Sequence, residues 1–549
     1  MMAKSDVLVS GHWHLLLTPL NSVWMVTIAL CGVFTSLFSV VWHQRRDVAA
    51  IGLLSNLILA SSVTAILADN VVLLVVMTEM TTLAAYLLTG CRRSGQLWFV
   101  LGRTGTLILI VAIWLLWHRY GTVSYAELRQ ALNGAPLPPA LLLLILCGFG
   151  LQSGLVPLHS WVASAHAHAS APACALYSGV VMKIGLYGIV RFSLLSDQLP
   201  LWWAMLILIA GLITAFAGGL YALMEHNINR LLAYHTIENI GIILLGLGCG
   251  FMGMARHNPV LEAIGIAGGL YHLFNHSLFK TTLFLCAGAI RFQTGHYDIE
   301  KLGGIGKRMP LISLIMLVGL MSMAALPPLN GFASEWLIYQ SFFRLSTHPL
   351  FVDRLLGPLL AVGLAITGAL AVMCVAKVYG VIFLGASRTQ EAERALPPPR
   401  LMTFSAGAMS VCCITAGIAS PWLLPLLQQA IPVALHSARA DLLHPITGLL
   451  LIAAPLLPLL IATIFRRDRL PYRSRGSAWA CGYQHEPGMV ITSSGFTQPI
   501  RAAFRPLLAL RHVRHPLNGV TAWQEEWLAH VFRRLAIIEL TILLVAVAA

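Results

Sequence analysis

The hydrophobic positions of this chain form long, continuous runs that are separated by shorter polar connections. These positions do not alternate with polar residues, so the pattern favours helices over strands. A run of about 20 apolar residues is long enough for a helix to cross a lipid bilayer. The pattern predicts about 14 such segments, near residues 20–42, 48–68, 71–90, 97–118, 139–167, 172–193, 201–221, 232–252, 261–290, 311–340, 357–384, 403–428, 446–465 and 531–549.

The composition leads to the same interpretation. Of the 549 residues, 58% are hydrophobic and only 10% are charged, and the mean hydropathy is +0.79. A soluble globular domain has about 25% charged residues, so a chain this apolar cannot cover its surface with groups that water solvates. We therefore predict an all-α integral membrane protein that is embedded in membrane lipid.

The positions of the basic residues predict the topology. A formal net charge of +14 would suggest a nucleic-acid partner in a soluble protein. Here Lys and Arg concentrate in alternate loops, which is the pattern of cytoplasmic loops in bacterial membrane proteins. We therefore predict no nucleic-acid partner, a multi-pass protein of the bacterial inner membrane, and both termini on the periplasmic side. The basic residues of the predicted cytoplasmic side include Arg45, Arg46, Arg92, Arg93, Lys301, Lys307, Arg308, Arg388 and Arg394.

Two of the apolar segments are interrupted by proline. The first reads GLQSGLVPLHSW around Pro157, and the second reads MAALPPLNGFASEW around Pro327 and Pro328. Proline removes a backbone donor and disrupts a helix. At membrane depth such a break survives only where it is buried or lines a cavity. Paired broken helices in related repeats therefore indicate a transport site.

The two breaks also predict the domain organisation. Each is followed by a helix with a central lysine, in VVMKIGLYG and CVAKVYG. This shared pattern predicts two related five-helix units, at residues 48–193 and 201–384. An N-terminal helix (1–47) precedes them, and a C-terminal region (385–549) follows. Within that region the polar stretch 466–530 is predicted to be a cytoplasmic arm that contacts a partner, and it has room for an amphipathic helix.

Six charged residues lie in or near apolar segments. Each would cost roughly 2.5–3.5 kcal/mol at the centre of a bilayer if it were neither paired nor solvated. Their signs alternate and they recur in both predicted units, which favours a path for ions over static ion pairs that fix helix packing. Burial favours the neutral form of both lysine and glutamate, so each can exchange a proton near neutral pH. The six residues are Glu79, Lys183, Glu238, Lys280, Glu335 and Lys377.

One predicted helix carries a polar stripe. In YHLFNHSLFK, the side chains of His272, His276 and Lys280 are four residues apart and share one face. Imidazole titrates near neutral pH and can pass a proton between its two nitrogens. A packing pair of histidines and a metal site are the alternatives, although the stripe has no acidic or cysteine ligand. His159 lies in the first break and is predicted to line the same path.

No other chemistry is indicated by the sequence. The ten cysteines include no CxxC pair, so iron–sulfur and zinc sites are poorly supported. No GxxxxGK[ST] phosphate-binding loop occurs. We therefore predict no catalytic residue, no cofactor and no metal in this chain.

Several stretches resemble the proton-translocating antiporter-type subunits of respiratory NADH dehydrogenase, of multisubunit sodium/proton antiporters and of membrane-bound hydrogenases. Together they span nearly the whole chain. They are MTEMTTLAAYLLTG, VPLHSWVASAHAHASAPACALYSGVVMKIGLYG, NRLLAYHTIENIGIILLGLG, YHLFNHSLFKTTLFLCAGAI, GHYDIEKLGGIGKRMP, MSMAALPPLNGFASEW and SAWACGYQHEPGMVITSSGF. The ENIGIILLGLG and CGY segments indicate the branch found in formate-linked hydrogenase complexes.

This resemblance implies a fold of 14 or more helices with two inverted five-helix repeats. It implies a complex that oxidises formate and evolves hydrogen. The implied partners are a second membrane subunit, the large and small subunits of a nickel–iron hydrogenase, iron–sulfur proteins and a formate dehydrogenase, with the hydrogenase arm on the cytoplasmic side. The family's channel residues are matched at Glu79, Lys183, His272, His276, Lys280 and Glu335.

The chain departs from the family pattern in two places. Gln152 stands where antiporter-type subunits usually have a lysine, just before the first break. A glutamine cannot carry a proton, so active pumping through the first unit is in question. The chain also starts at the family's third helix, and its first residues, MMAKSDVLVSGHWH, lack the layout of a cleaved signal. About two N-terminal helices of the family are therefore expected to be missing.

The sequence as a whole predicts a membrane ion-translocation subunit of a formate-linked hydrogenase complex. Glu79 and Lys183 are expected to form the charge pair of the first unit. A second path is expected from Glu238 through the histidine stripe and Lys280 to Glu335, with Lys377 beside it. Two alternatives remain: a free-standing sodium/proton antiporter, and a structural membrane anchor without ion flux.

Overall fold

The computed structural model describes residues 6–8, 14–42, 48–90, 93–429, 481–483, 489–506 and 522–548, and these ranges are mostly helical. The longer helices are α1 (Pro19–Trp42), α2 (Val48–Leu67), α3 (Val71–Thr89), α4 (Arg93–Tyr120), α6 (Pro139–Ser153), α9 (Met182–Ser193), α10 (Leu201–Met224), α11 (Ile228–Ala255), α12 (Pro259–Thr294), α13 (Pro310–Met323), α14 (Asn330–Ser346), α15 (Phe351–Phe383), α17 (Arg400–Ile418), α19 (Ser493–Ala503) and α20 (Ala522–Ala548). The shorter ones are α5 (Tyr125–Leu132), α7 (Ser160–His168), α8 (Ala171–Leu176), α16 (Gln390–Glu393) and α18 (Ser420–Gln429).

Shorter elements complete the described part of the chain. Strands β1 (Asp6–Leu8) and β2 (His14–Leu16) pair antiparallel, with Leu8 opposite His14. A π-helical turn (Tyr177–Val181) joins α8 to α9. Two 3₁₀ turns (Ile299–Lys301 and Ile305–Lys307) connect α12 to α13.

The predicted class, an all-α membrane protein, is confirmed. Within the described ranges, nine helices are long and apolar enough to cross a membrane. Two shorter apolar helices, α6 and α13, are the first halves of the two broken segments. The count of 14 segments stays a prediction, and segment 446–465 lies outside the described residues.

Both predicted breaks are present. Helix α6 ends at Ser153 and α7 begins at Ser160, whereas α13 ends at Met323 and α14 begins at Asn330. Each break contains one cis X-Pro peptide bond, at Pro157 and at Pro328. At the second break only glycine fits position 331, because a Cβ there would lie under 3.0 Å from the carbonyl oxygen of Ser322. The two breaks therefore lie where proline and glycine interrupt the apolar runs.

Some elements differ from the hydrophobic pattern. Segment 403–428 divides at Ala419 into α17 and α18, and segment 172–193 contains the π turn. Helix α5 was not predicted, because its apolar residues Tyr125, Leu128 and Leu132 form a short helical face and not a long run. The predicted arm contains one described helix of its own, α19, although most of that stretch lies outside the described residues.

The core of the bundle surrounds α11 and the span formed by α8, the π turn and α9. The most apolar windows of these two spans are 100% buried, whereas that of α2 is only 28% buried. Outer helices expose apolar stripes at helical spacing, as α15 does with Leu355, Leu359 and Val362. Such stripes are stable against lipid and not against water. Groups on the central helices are thus shielded from lipid by a layer of protein.

Glycines bring α10, α11 and α12 into close backbone contact. A Cβ at Gly218 of α10 would lie under 3.0 Å from the backbone of Glu238 in α11. The same holds for Gly246 of α11 against the backbone of Gly269 in α12. Small residues at helix crossings are a common means of tight packing in membranes, where association gains little from the hydrophobic effect. This packing fixes the position of α11, on which several buried charges lie.

We predict that Gly218→Ala destabilises the bundle. The added methyl group has no room beside Glu238, and overpacking of this kind typically costs about 1–3 kcal/mol. The measurement is the thermal unfolding midpoint of the purified protein in detergent. Gly368→Ala is the matched control, because a Cβ at that position of α15 meets nothing within 4 Å. Equal midpoints for the two variants would contradict the role of Gly218 in packing.

Candidate functional site

Buried ionisable side chains collect in the interior of the bundle. They come from six helices: α3, α9, α11, α12, α14 and α15. Among them are eight of the residues singled out from the sequence: Glu79, Lys183, Glu238, His272, His276, Lys280, Glu335 and Lys377. Since lipid cannot solvate a charge, the partners of each group decide what it can do.

Lys183 contacts the histidine stripe of α12. Its Nζ donates to the backbone carbonyl of Ser178 at 2.6 Å and forms a second hydrogen bond with Nδ1 of His276. Ser178 belongs to the π turn, so this irregular turn supplies one of the two acceptors. The other ring nitrogen of His276, Nε2, has no hydrogen-bond partner among the described residues. An ammonium group beside an imidazole is an arrangement through which a proton can be exchanged.

His272 is held on both sides. Its Nδ1 lies 3.0 Å from the hydroxyl of Ser334, and its Nε2 lies 3.1 Å from Oδ1 of Asn239. The amide nitrogen of Asn239 donates to the carbonyl of His235, so its oxygen accepts from His272. These contacts fit a neutral imidazole in one orientation and leave neither nitrogen for a metal. The alternative of a packing histidine therefore describes His272 better than it describes His276.

Lys280 lies one turn beyond His276 on α12. Its Nζ donates to the carbonyl of Leu232 at 2.9 Å and contacts the sulfur of Met323 at 3.4 Å. Met323 is the last residue of α13, directly before the second break. Lys280 also interacts electrostatically with the carboxylate of Glu238. This lysine thus connects the histidine stripe to α11 and to the broken helix.

Glu238 has a partner that the sequence analysis missed. Its Oε2 forms a hydrogen bond with Nδ1 of His235, three residues earlier on α11. The thiol of Cys374 in α15 lies beside the ring of His235. The i, i+3 spacing of a histidine and a glutamate in one apolar helix was the available signal. Both His235 and Cys374 are fully buried, so the row of polar groups continues from α12 through α11 to α15.

Glu335 and Lys377 lie at the far side of this row. Glu335 is in the second turn of α14, just after the second break, and interacts electrostatically with Glu238. Lys377 donates from Nζ to the carbonyls of Leu223 and Glu225, at 2.7 Å each. Those carbonyls terminate α10, where the helix dipole favours a positive charge. Lys377 therefore joins the end of α10 to α15 and has a clear structural role.

The expected ion pair between Glu79 and Lys183 is wrong. Glu79 forms its ion pair with Arg103 of α4, and the hydroxyl of Thr106 donates to the same carboxylate. Lys183 is instead engaged by Ser178 and His276, as described above. The alternating lysines and glutamates of the sequence suggested a lysine as the partner, whereas the partner is an arginine in the next helix. The carboxylate of Glu79 is thereby held from α4, apart from the lysine of α9.

The first break contributes less than expected. His159 caps the start of α7, is only half-buried, and stacks on Tyr221 with ring centroids 6.3 Å apart. Within the described ranges it makes no hydrogen bond to the buried lysines, glutamates or other histidines. Gln152, in contrast, is only 6% exposed, and neither atom of its amide has a hydrogen-bond partner in the described structure. Buried amides of this kind are usually satisfied by water.

The arrangement suits proton exchange. Lysine, histidine and glutamate side chains follow one another through α9, α12 and α11, and each can gain or lose a proton. In the part of the chain that the structure describes, no group of three or more His, Cys, Asp or Glu residues is placed to hold a metal ion.

Comparisons of the sequence give consistent matches. Residues 68–356 match the family described as NADH:quinone oxidoreductase/Mrp antiporter, transmembrane. The chain is 58% identical over 531 residues to formate hydrogenlyase subunit 3 of Escherichia coli K12, covering 97% of this chain and 87% of that protein. It is 37% identical over 542 residues to hydrogenase-4 component B of the same organism, covering 94% and 80% respectively. Of the predicted site residues, only Lys377 lies outside the matched family region.

Solved structures share the fold. A chain of the membrane-bound sulfane sulfur reductase, an archaeal respiratory membrane complex, superposes with a TM-score of 0.79 at 23% identity. That match covers 100% of this chain and 91% of the other. A chain of the Mrp complex from Dietzia sp. DQ12-45-1b gives a TM-score of 0.64 at 22% identity, covering 76% and 84%. At such identities the likeness concerns the fold alone.

We predict that Lys377→Met lowers the stability of the folded protein by about 1.5–3 kcal/mol for each charged hydrogen bond that it removes. The two carbonyls at the end of α10 would lose their donor and stay buried. The measurement is again the thermal unfolding midpoint in detergent. Lys307→Met, at an exposed lysine of the connection between α12 and α13, is the control. An unchanged midpoint for Lys377→Met would exclude this structural role.

Proposed function

The chain belongs to the NADH:quinone oxidoreductase/Mrp antiporter family of membrane proteins, and on this premise we propose that it is the large membrane subunit of a formate hydrogenlyase complex. Its role there is to anchor the hydrogenase arm and to conduct protons while formate is oxidised and hydrogen is evolved. The 58% identity to formate hydrogenlyase subunit 3, over nearly the full length of this chain, supports the choice of complex. The lower identity to hydrogenase-4 component B makes that complex the second choice.

The contact between Lys183 and His276 is the observation that supports proton conduction most directly. The two residues come from different helices, α9 and α12, and both are buried away from lipid and bulk solvent. Hydrogen bonds to backbone carbonyls alone serve a static packing role, as Lys377 shows. Lys183 binds a backbone carbonyl and also contacts a histidine, to which it can pass its proton.

The proposed path runs along the buried row. Lys183 gives a proton to Nδ1 of His276 and is left neutral, while the imidazole releases a proton from Nε2. Nε2 has no protein partner in the described structure, so a water molecule must carry that proton to a neutral Lys280, one turn further along α12. Lys280 interacts electrostatically with Glu238, passes the proton through water to its carboxylate, and His235 accepts it from there. Each step moves one proton and leaves the donor ready to be protonated again.

The partners and the location follow from the same assignment. The relatives are named as a subunit of formate hydrogenlyase and a component of hydrogenase-4, which supports a second membrane subunit, a nickel–iron hydrogenase with its iron–sulfur proteins, and a formate dehydrogenase as partners. The protein is a multi-pass membrane protein, and we assign it to the bacterial inner membrane with the hydrogenase arm on the cytoplasmic side. Formate oxidation and proton reduction take place on those partners, and we assign no cofactor to this chain.

Gln152 limits the first half of this path. It occupies the position just before the first break, where a lysine would carry a proton, and an amide cannot do so. Its two unpartnered amide atoms can still orient water molecules. We therefore give Gln152 only a hydrating role and assign proton transfer in the first unit to the ionisable groups Glu79 and Lys183.

The complex is tested by purifying the affinity-tagged chain in mild detergent from cells that ferment in the presence of formate. We expect a nickel–iron hydrogenase and a formate dehydrogenase to co-purify in near-stoichiometric amounts, as identified by mass spectrometry. The same purification from cells that lack the hydrogenase large subunit is the control. Recovery of the chain alone, or only with other antiporter-type subunits, would favour a free-standing sodium/proton antiporter and reject the proposed complex.

Proton conduction is tested with Lys280→Ala in inverted membrane vesicles. We expect formate-driven proton translocation to fall by at least about tenfold, because a group that relays protons is lost. Lys280→Arg is the matched variant, since it keeps the positive charge but cannot release a proton at any accessible pH. Wild-type translocation by Lys280→Arg would show that Lys280 only pairs with Glu238, in agreement with a structural anchor.

A further inference from the structure

We propose that Glu539, on the C-terminal helix α20, is a positioning residue for Glu79. It shares Arg103 with Glu79, and this sharing allows the buried Glu79 carboxylate to be protonated without leaving the guanidinium group unpaired. The inference rests on the proposed function, because it concerns how the first unit takes up a proton. It adds α20, which the hydrophobic pattern indicated only as a further apolar segment, to the conducting machinery.

Arg103 is held between two carboxylates from different helices. Its Nη1 lies 2.9 Å from Oε2 of Glu539 and forms an ion pair with Oε1 of Glu79. Its Nη2 donates to the hydroxyl of Thr82 at 3.0 Å. One guanidinium therefore neutralises part of the charge of two carboxylates, and planar, multidentate pairing of this kind is characteristic of arginine.

Helix α20 is seated on this site by apolar contacts as well. The ring of Phe532 stacks on that of Phe99, with centroids 5.3 Å apart, and the guanidinium carbon of Arg103 lies over the Phe99 ring at 5.1 Å from its centroid. Ala536 is fully buried, and Leu540 is 9% exposed. These positions are three to four residues apart, so they share the face that carries Glu539. The ion pair is thus part of a packed interface and is not an isolated surface contact.

The three charged side chains differ in their access to solvent. Glu79 is 4% exposed, Arg103 17% and Glu539 37%. When Glu79 takes up a proton, Arg103 loses a charged partner in a largely buried place, which is costly. Glu539 remains as a partner and offsets this loss. Without Glu539, Arg103 would pair with Glu79 alone and stabilise its charged form.

No other charged group is seen to pair with Glu79 in its described surroundings, and the remaining titratable residues of α20 with described side chains, His530, Arg533 and Arg534, are exposed. Helix α2, which packs against α3, carries no titratable side chain. The titratable groups of α7, α8 and the π turn form hydrogen bonds with backbone carbonyls and not with Glu79. These groups are His166, His168, Cys174 and Tyr177. From α4, only Arg103 and the hydroxyl of Thr106 contact the carboxylate. The pair of Arg103 and Glu539 therefore dominates its electrostatic environment.

The test is the pH dependence of formate-driven proton translocation by Glu539→Gln in inverted vesicles that contain the whole complex. We expect the alkaline midpoint of the profile to move to lower pH by about one unit, since Glu79 then needs more acid to be protonated. Arg103→Gln should move the same midpoint in the opposite direction, because a buried carboxylate without a cation is more readily protonated. Opposite shifts from the two variants are the signature of the shared arginine.

Asp197→Asn is the matched control, since it removes a carboxylate from another arginine pair, with Arg129 at 2.6 Å, on the exposed surface. It should leave the midpoint where it is. A wild-type midpoint for Glu539→Gln overturns the inference, and so does a smaller amount of complex with an unchanged midpoint, which would mean a purely structural contact. Vesicles of the wild-type complex that move no protons would overturn the proposed function itself, which is a different result.

Discussion

The structure depends on one electrostatic constraint: inside the bundle, a charge can be neutralised only by another protein group. Neither lipid nor bulk water reaches the central helices, so every ionisable side chain there has a protein partner or stays neutral. Glu79 meets this constraint with arginine, Lys183 with histidine, and Lys377 with two carbonyls. The three solutions differ in consequence: the histidine can accept the proton of its partner lysine, whereas the arginine and the two carbonyls cannot accept a proton from theirs.

Tight helix packing makes this constraint effective. The glycine contacts among α10, α11 and α12 bring backbones so close that Glu238 and its neighbours have no freedom to turn towards lipid. The outer helices add a further layer, and their apolar stripes face the membrane. The row of polar groups is consequently shielded from lipid and fixed in place. In such a setting small changes of protonation state have large electrostatic effects, because the low dielectric of the surroundings screens them little.

The sequence predicted the helices and both breaks because these features are local. A long apolar run indicates a membrane helix, and prolines within it indicate an interruption. It also identified the buried lysines and glutamates one by one. The pairing of Glu79 with Arg103, and the contact of His235 with Glu238 and Cys374, could not be read in the same way. Which charge meets which depends on how helices distant in the chain are rotated against each other, and hydrophobicity averaged over a segment does not contain that rotation.

The π turn at Tyr177–Val181 has a consequence for the way this chain can evolve. Such a turn amounts to one residue inserted into an otherwise regular helix. Deleting that residue would restore a continuous helix, in which the carbonyl of Ser178 would accept a backbone amide of the following turn. The ammonium group of Lys183 would then compete for the acceptor that now binds it, although no side chain had been altered. A change of length by one residue in this segment would therefore disturb the site more than most substitutions there.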